Sequence, residues 1–218
     1  PWMFFHAPVY YHLVQRILSH YGEDDLADGD VFVTNHPYEG NLPHASDMGF
    51  IAPIFHDGIL VAFAGTIAHK ADVGGTVPGS TYGSATELYH EGMMIPPIRI
   101  ERAGKPIDDV MRLIAANTRA PYVVLGDISG QIGVTRIGRL HMHEMCERFG
   151  AQTVVDAMDA MIEASGAEFS AALKDIPDGN SEAVGYLDHD GVHVDKKVKL
   201  HVRLEVKDGK LHFDFTGC

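Results

Sequence analysis

Two apolar runs, residues 48–55 and 59–68, meet at His56-Asp57-Gly58, and this pair narrows the fold more than any other feature. Asp-Gly suits the positive-φ backbone of a tight turn, so two long strands should fold back on each other there. The open ends of that hairpin carry a doubled pattern. His44-Ala45-Ser46-Asp47 leads into the first run and His69-Lys70-Ala71-Asp72 leaves the second, both reading His-x-x-Asp. Antiparallel strands about 4.8 Å apart let imidazoles and carboxylates from the two ends converge. Neutral imidazole with carboxylate is a hard-to-borderline donor set that suits Zn, Mn or Fe. The lack of thiolate argues against a purely structural cysteine-type zinc site. Fourteen histidines make one His-x-x-Asp common by chance. Two at opposite ends of one hairpin leave a metal site and a coincidence evenly matched on the residues alone.

Elsewhere the periodicity alternates between helix and strand. Residues 9–21 place Leu13, Val14, Ile17 and Leu18 at helical spacing, with Gly22 as a stop. Residues 30–34 read as a short buried strand. Residues 70–97 are rich in Gly, Pro, Ser and Thr without a period, so they form either a functional loop or an unrecognised element. Residues 98–100 and the Gly104-Lys105 turn follow. Residues 108–117 predict a helix with Val110, Leu113 and Ile114 on one face. Residues 123–149 and 153–173 predict two more, separated by Gly150. The tail, 183–215, alternates around Asp190-Gly191 and Asp208-Gly209 and predicts three antiparallel strands. The expected class is therefore α+β, mixed helices and antiparallel hairpins. A metal-site region over 1–178 and the start of a β-rich region over 179–218 meet at Pro177-Asp178-Gly179-Asn180. Both termini read as cuts through a longer polypeptide, an internal fragment of a larger subunit.

Composition excludes several classes. A net charge of −13 disfavours nucleic acid and anionic membrane as partners. No run approaches the ~18 apolar residues of a membrane span, and no signal peptide opens the chain. Cys146 and Cys218 form no CxxC, which fits a reducing cytoplasm better than a disulfide framework.

Other motifs carry less. Residues 74–81 hold Gly-x-x-x-x-Gly, but Ser80 stands where a phosphate loop needs Lys and Pro78 lacks an N–H; a plain glycine turn is the better reading. His143-Glu144-Met145-Cys146-Glu147 begins like a zinc-protease helix, but Glu147 replaces the second imidazole, which favours a solvated face with a buried thiol at Cys146. Glu87 and Glu91 would share a face if their stretch were helical, as acid/base or supporting carboxylates or simply as surface charge.

Taken in order, Gly29-Asp30-Val31-Phe32, Asn35-His36-Pro37-Tyr38-Glu39-Gly40, the two His-x-x-Asp pairs, Asp72-Val73-Gly74-Gly75, Pro78-Gly79-Ser80, Glu87 to Gly92, Ile95-Pro96-Pro97, Asn117-Thr118-Arg119-Ala120-Pro121, Gly126-Asp127 and Asp214-Phe215-Thr216-Gly217 form a combination. That combination resembles the hydantoinase B/oxoprolinase family across nearly the whole chain. The resemblance implies a subunit of an ATP-dependent hydrolase acting on the C–N bond of a cyclic amide of the hydantoin or 5-oxoproline type. It implies a divalent metal, Zn or Mn, held by His44, Asp47, His69 and Asp72, with a further acidic ligand upstream of Pro1. It also implies a small-molecule substrate and a hydantoinase A-like ATPase subunit or domain, which would hold the ATP. Two positions depart from the family pattern. His36 replaces an Asp, and Ile67 replaces an Arg common in the hydrolases, which is closer to the ketone carboxylase branch. A metal-containing carboxylase subunit and a non-catalytic scaffold that docks the ATPase remain the alternatives. Without a phosphate-loop lysine, this chain alone should give no saturable heat on calorimetric titration with ATP; micromolar binding would refute the division of labour.

Overall fold

The computed structural model describes residues 3–218, which mix helices with antiparallel sheets. They divide into two compact units. One takes in the chain up to Tyr82 together with Glu87–Val154, and the other takes in Gly83–Thr86 and Val155–Cys218.

The first unit is built on a five-stranded antiparallel sheet in the order β3-β2-β1-β4-β5. Its strands are β1 (Val31–Thr34), β2 (Asp47–His56), β3 (Ile59–His69), β4 (Ile98–Arg102) and β5 (Lys105–Pro106). The hairpin β2–β3 forms at the expected Asp-Gly turn, where Asp57 and Gly58 have φ of 50° and 78°. β2 reads as an unbroken apolar run because both of its faces are covered. Met48, Phe50 and Ala52 join Val31 and Val33 beneath Val124, Ile128 and Ile132 of α4 (Pro121–Phe149) and Ile114 of α3 (Asp108–Ala116). On the opposite face, Ile51 and Phe32 pack with Val9, Leu13 and Ile17 of α1 (Met3–Tyr21). The sheet is thus the middle of three layers. In α3 the expected apolar face is only partly used: Ile114 is buried, whereas Leu113 is exposed.

A buried ion pair ties the far half of this sheet together. Asp30, immediately before β1, is 1% exposed and accepts from Arg99 Nε of β4 at 2.8 Å. It also accepts from the backbone N–H of Ala27 at 3.2 Å and of Ala103 at 2.9 Å, so its charge is fully used. The Arg99 guanidinium lies over the rings of Tyr21 and Phe32, 4.6 and 5.2 Å from their centroids.

The second unit holds the antiparallel sheet β6 (Gly179–Leu187), β7 (Val198–Lys207) and β8 (Lys210–Asp214), matching the three strands expected for the tail. Asp208-Gly209 makes the tight β7–β8 turn, while Asp190-Gly191 lies in a longer connection. The division between units does not coincide with the expected boundary at residue 178. It falls inside α5 (Ala151–Lys174), directly after Val154, the buried residue of that helix. Among the described residues no helix is long and apolar enough to cross a membrane.

Removing one partner of a buried pair strands the other charge, at about 3–5 kcal/mol. Asp30→Ala should therefore lower stability by about that amount in urea unfolding, and a loss under 1 kcal/mol would show that Arg99 finds another acceptor.

Candidate metal centre

The β2–β3 pairing sets Asp47 opposite His69, at the open end of the hairpin. His44 arrives on the loop before β2. Its position is fixed by Asn35, fully buried after β1, whose side-chain amide donates to Ala45 O at 2.7 Å and to Met93 O at 2.8 Å. Asn35 Oδ1 accepts from Ile95 N at 2.6 Å, so every polar atom of this buried amide is used. The next residue, His36, shapes the turn that follows. Its Nδ1 caps α2 (Pro37–Gly40) by accepting from the N–H groups of Tyr38 and Glu39 at 3.2 and 3.1 Å.

His44, Asp47 and His69 converge, each offering one ligand atom, all within 4.8 Å of one another. His44 Nε2 lies 3.3 Å from Asp47 Oδ2, and His69 Nδ1 lies 3.6 Å from Asp47 Oδ1. Ligands held at about 2.0–2.2 Å around a tetrahedral centre are about 3.3–3.6 Å apart, so this donor set fits a divalent metal. Asp47 is buried at the base, while the two imidazoles are 42% and 54% exposed and leave the outer side of the site open.

Sequence reasoning missed two neighbours. His6, on α1, brings its Nε2 to 3.6 Å from Asp47 Oδ2. The helical period seemed to begin only at Val9, and no spacing links residue 6 to residue 47. Lys70 is fully buried and donates from Nζ to Ala68 O at 3.1 Å and to Gln131 Oε1 of α4. Burial pushes its pKa down to about 8, against the attraction of Asp127 and Asp47.

Asp72 does not join the other three, which corrects the expectation of a fourth ligand. Its Oδ1 accepts from the N–H of Gly74 at 3.0 Å and of Arg119 at 2.9 Å, and its Oδ2 accepts from Gly79 N at 2.9 Å and Arg119 Nη1 at 3.1 Å. Burial would raise its pKa. The backbone hydrogen bonds from Arg119, Gly74 and Gly79 and the Arg119 guanidinium outweigh that, holding the carboxyl well below the usual range. The same bonds explain the Gly-rich stretch: the amides of Gly74 and Gly79 are turned onto Asp72. Gly75 and Gly92 serve close backbone approach. A Cβ on either would fall 2.5 Å from a carbonyl oxygen, of His90 and Val73 respectively, and both have positive φ. The Glu87–Glu91 stretch is a short 3-10 turn, Leu88–Glu91, rather than an α-helix. Glu91 reaches back to accept from Ala45 N at 3.4 Å, and Glu87 pairs with His90 at 3.2 Å, so the two carboxylates do not act together.

The Hydantoinase B/oxoprolinase family model matches residues 2–218. The beta subunit of caprolactamase from Pseudomonas jessenii is 30% identical over 190 residues, covering 87% of this chain and 32% of that subunit. The delta subunit of acetophenone carboxylase from Aromatoleum aromaticum is 28% identical over 214 residues, covering 98% of this chain and 31% of the relative. The crystal structure of the ATP-dependent caprolactamase from Pseudomonas jessenii superposes with a TM-score of 0.87 at 28% identity, over 95% of this chain and 35% of that one. The chain thus spans about a third of the length of these relatives.

A carboxylate whose folded pKa is depressed adds stability above its unfolded pKa of about 3.9, and that stability is lost as pH falls through the folded value. Asp72→Asn should therefore cost about 1–3 kcal/mol at pH 7, with the gap to the unsubstituted chain closing below about pH 4. Bound metal should be unchanged; loss of metal at retained stability would return Asp72 to the ligand set.

Proposed function

The chain belongs to the hydantoinase B/oxoprolinase family, and on that footing we propose that it is the metal-holding part of an ATP-dependent cyclic-amide hydrolase of the cytoplasm. The observation that supports this most is the convergence of His44, Asp47 and His69 on one open-sided point. These three residues would hold a divalent cation, Zn or Mn. When bound, such a cation supplies Lewis-acid polarisation and lowers the pKa of water near the substrate carbonyl. The chain's own residues supply position. Asp47 places negative charge at the buried floor, and the two imidazoles stand at the rim where a small ring could enter. Asn35 and Glu91 hold the His44 loop, and Lys70 fixes the end of β3 from beneath. ATP use is assigned to a hydantoinase A-like partner subunit or domain, since the Gly-rich amides that could cradle phosphate are occupied by Asp72.

Carboxylation of a ketone is the second reading. Ile67 favours it: this apolar residue pairs with Gly49 two positions before His69, at a place where resemblance to the hydrolases would imply Arg.

In the full-length subunit assembled with its ATPase partner, His69→Ala should abolish both tight metal binding and turnover of a cyclic amide with ATP. The fold should survive, since Val61 and its neighbours pack β3 without the imidazole. The exposed Glu144 supplies the control, and Glu144→Ala should stay within about 0.5 kcal/mol and keep its activity. If His69→Ala retains metal and turnover, the assignment fails. Turnover of a ketone with bicarbonate, but of no cyclic amide, would favour the carboxylase reading.

A further inference from the structure

The helix motif around His143 lacks the second imidazole that a metal-binding His-Glu-x-x-His would supply from within the helix. The fold brings an imidazole to it from another element. His56, the last residue of β2, sets its Nδ1 3.5 Å from Nδ1 of His143 on α4, with ring centroids 5.7 Å apart and planes at 53°. The pair sits at the turn end of the hairpin, roughly 30 Å along β2 from Asp47 at the rise of a strand. It is therefore separate from the centre described above.

We propose that His56 and His143 form a second divalent-metal site, a two-imidazole clamp for a borderline ion such as Zn²⁺, Ni²⁺ or Cu²⁺, with water completing the coordination. Two observations point to it. The 3.5 Å separation of the facing nitrogens is at the long limit for an N–H···N hydrogen bond. It matches the distance between two nitrogens that share one tetrahedral ion at about 2.0–2.1 Å each. Finally, both imidazoles stand on regular elements. The His56 side chain is only 16% exposed where β2 ends, and α4 is anchored one turn past His143 by the buried Cys146, so both rings are partly enclosed. Loading the clamp would cross-link the hairpin turn to the helix that packs across the hairpin. This reading does not depend on the function proposed for the His44–Asp47–His69 centre.

The test uses the whole chain with His44→Ala and His69→Ala, so that the first centre is out of the count, and Zn²⁺ alone as the probe. Equilibrium dialysis should show one saturable equivalent. Adding either His56→Gln or His143→Gln, with folding checked by circular dichroism, should weaken that equivalent at least tenfold. In the same background without the Gln changes, bound Cu²⁺ should give a paramagnetic resonance spectrum with two coupled nitrogens, a readout that needs no variant at the pair. An absence of saturable Zn²⁺, an affinity unmoved by both Gln substitutions, or a Cu²⁺ spectrum with fewer than two nitrogens would overturn the proposal and leave a hydrogen-bonded packing contact.

Discussion

The pairing of Asp47 with His69 across the β2–β3 hairpin is the constraint on which the candidate centre depends. Strand register is all or nothing, because a slip of one residue sends every side chain to the other face. Here both alternatives are blocked. Met48, Phe50 and Ala52 belong under α4 and Ile51 belongs under α1. The small residues between them are required as well. A Cβ at Gly49 would stand 2.8 Å from Leu13, and one at Gly65 would stand 2.8 Å from Tyr10 and 2.9 Å from Ile51. Large and small positions on two faces together admit one alignment, and that alignment puts a carboxylate beside an imidazole.

The two His-x-x-Asp motifs show how far identical sequence patterns can part in structure. Asp47 begins a strand, and its carboxylate faces His6, His44 and His69 without taking their place in the ladder. Asp72 lies in the loop after β3, surrounded by amide donors and a guanidinium that use both of its oxygens. A carboxylate already saturated with strong donors has little left for a cation. Arg119 decides the difference, and it sits 47 positions away in the chain.

Much of the fold was legible because it follows periods of two and 3.6. The hairpin, α1, α3, α4, α5 and the three strands of the tail all stand close to where apolar spacing put them. Of the centre, the hairpin pattern brought the two His-x-x-Asp pairs to one end, and the family resemblance was needed to single out His44, Asp47, His69 and Asp72 as candidate ligands. Its other neighbours could not be read, and neither could the Arg119–Asp72 contact or the separate His56–His143 pair, for one physical reason: His6, Lys70, Arg119 and His143 meet their partners from elements remote in sequence, and no local pattern encodes such meetings. The division inside α5 was hidden for a related reason. The apolar spacing of α5 runs on unchanged past its first turn, and only the burial of Val154 marks the change.

The His44–Asp47–His69 cluster is also local along the chain, its outer members lying 25 positions apart on either side of one turn. The Asp30–Arg99 pair that ties the other half of the sheet spans 69 positions. Hairpins zip on a scale of about 1–10 μs, and closing the longer loop costs roughly 1 kcal/mol more chain entropy than closing the shorter. The cluster is thus the cheaper of the two to close in chain entropy, gathered by its own turn, whereas the other half of the sheet depends on a contact between distant parts of the chain.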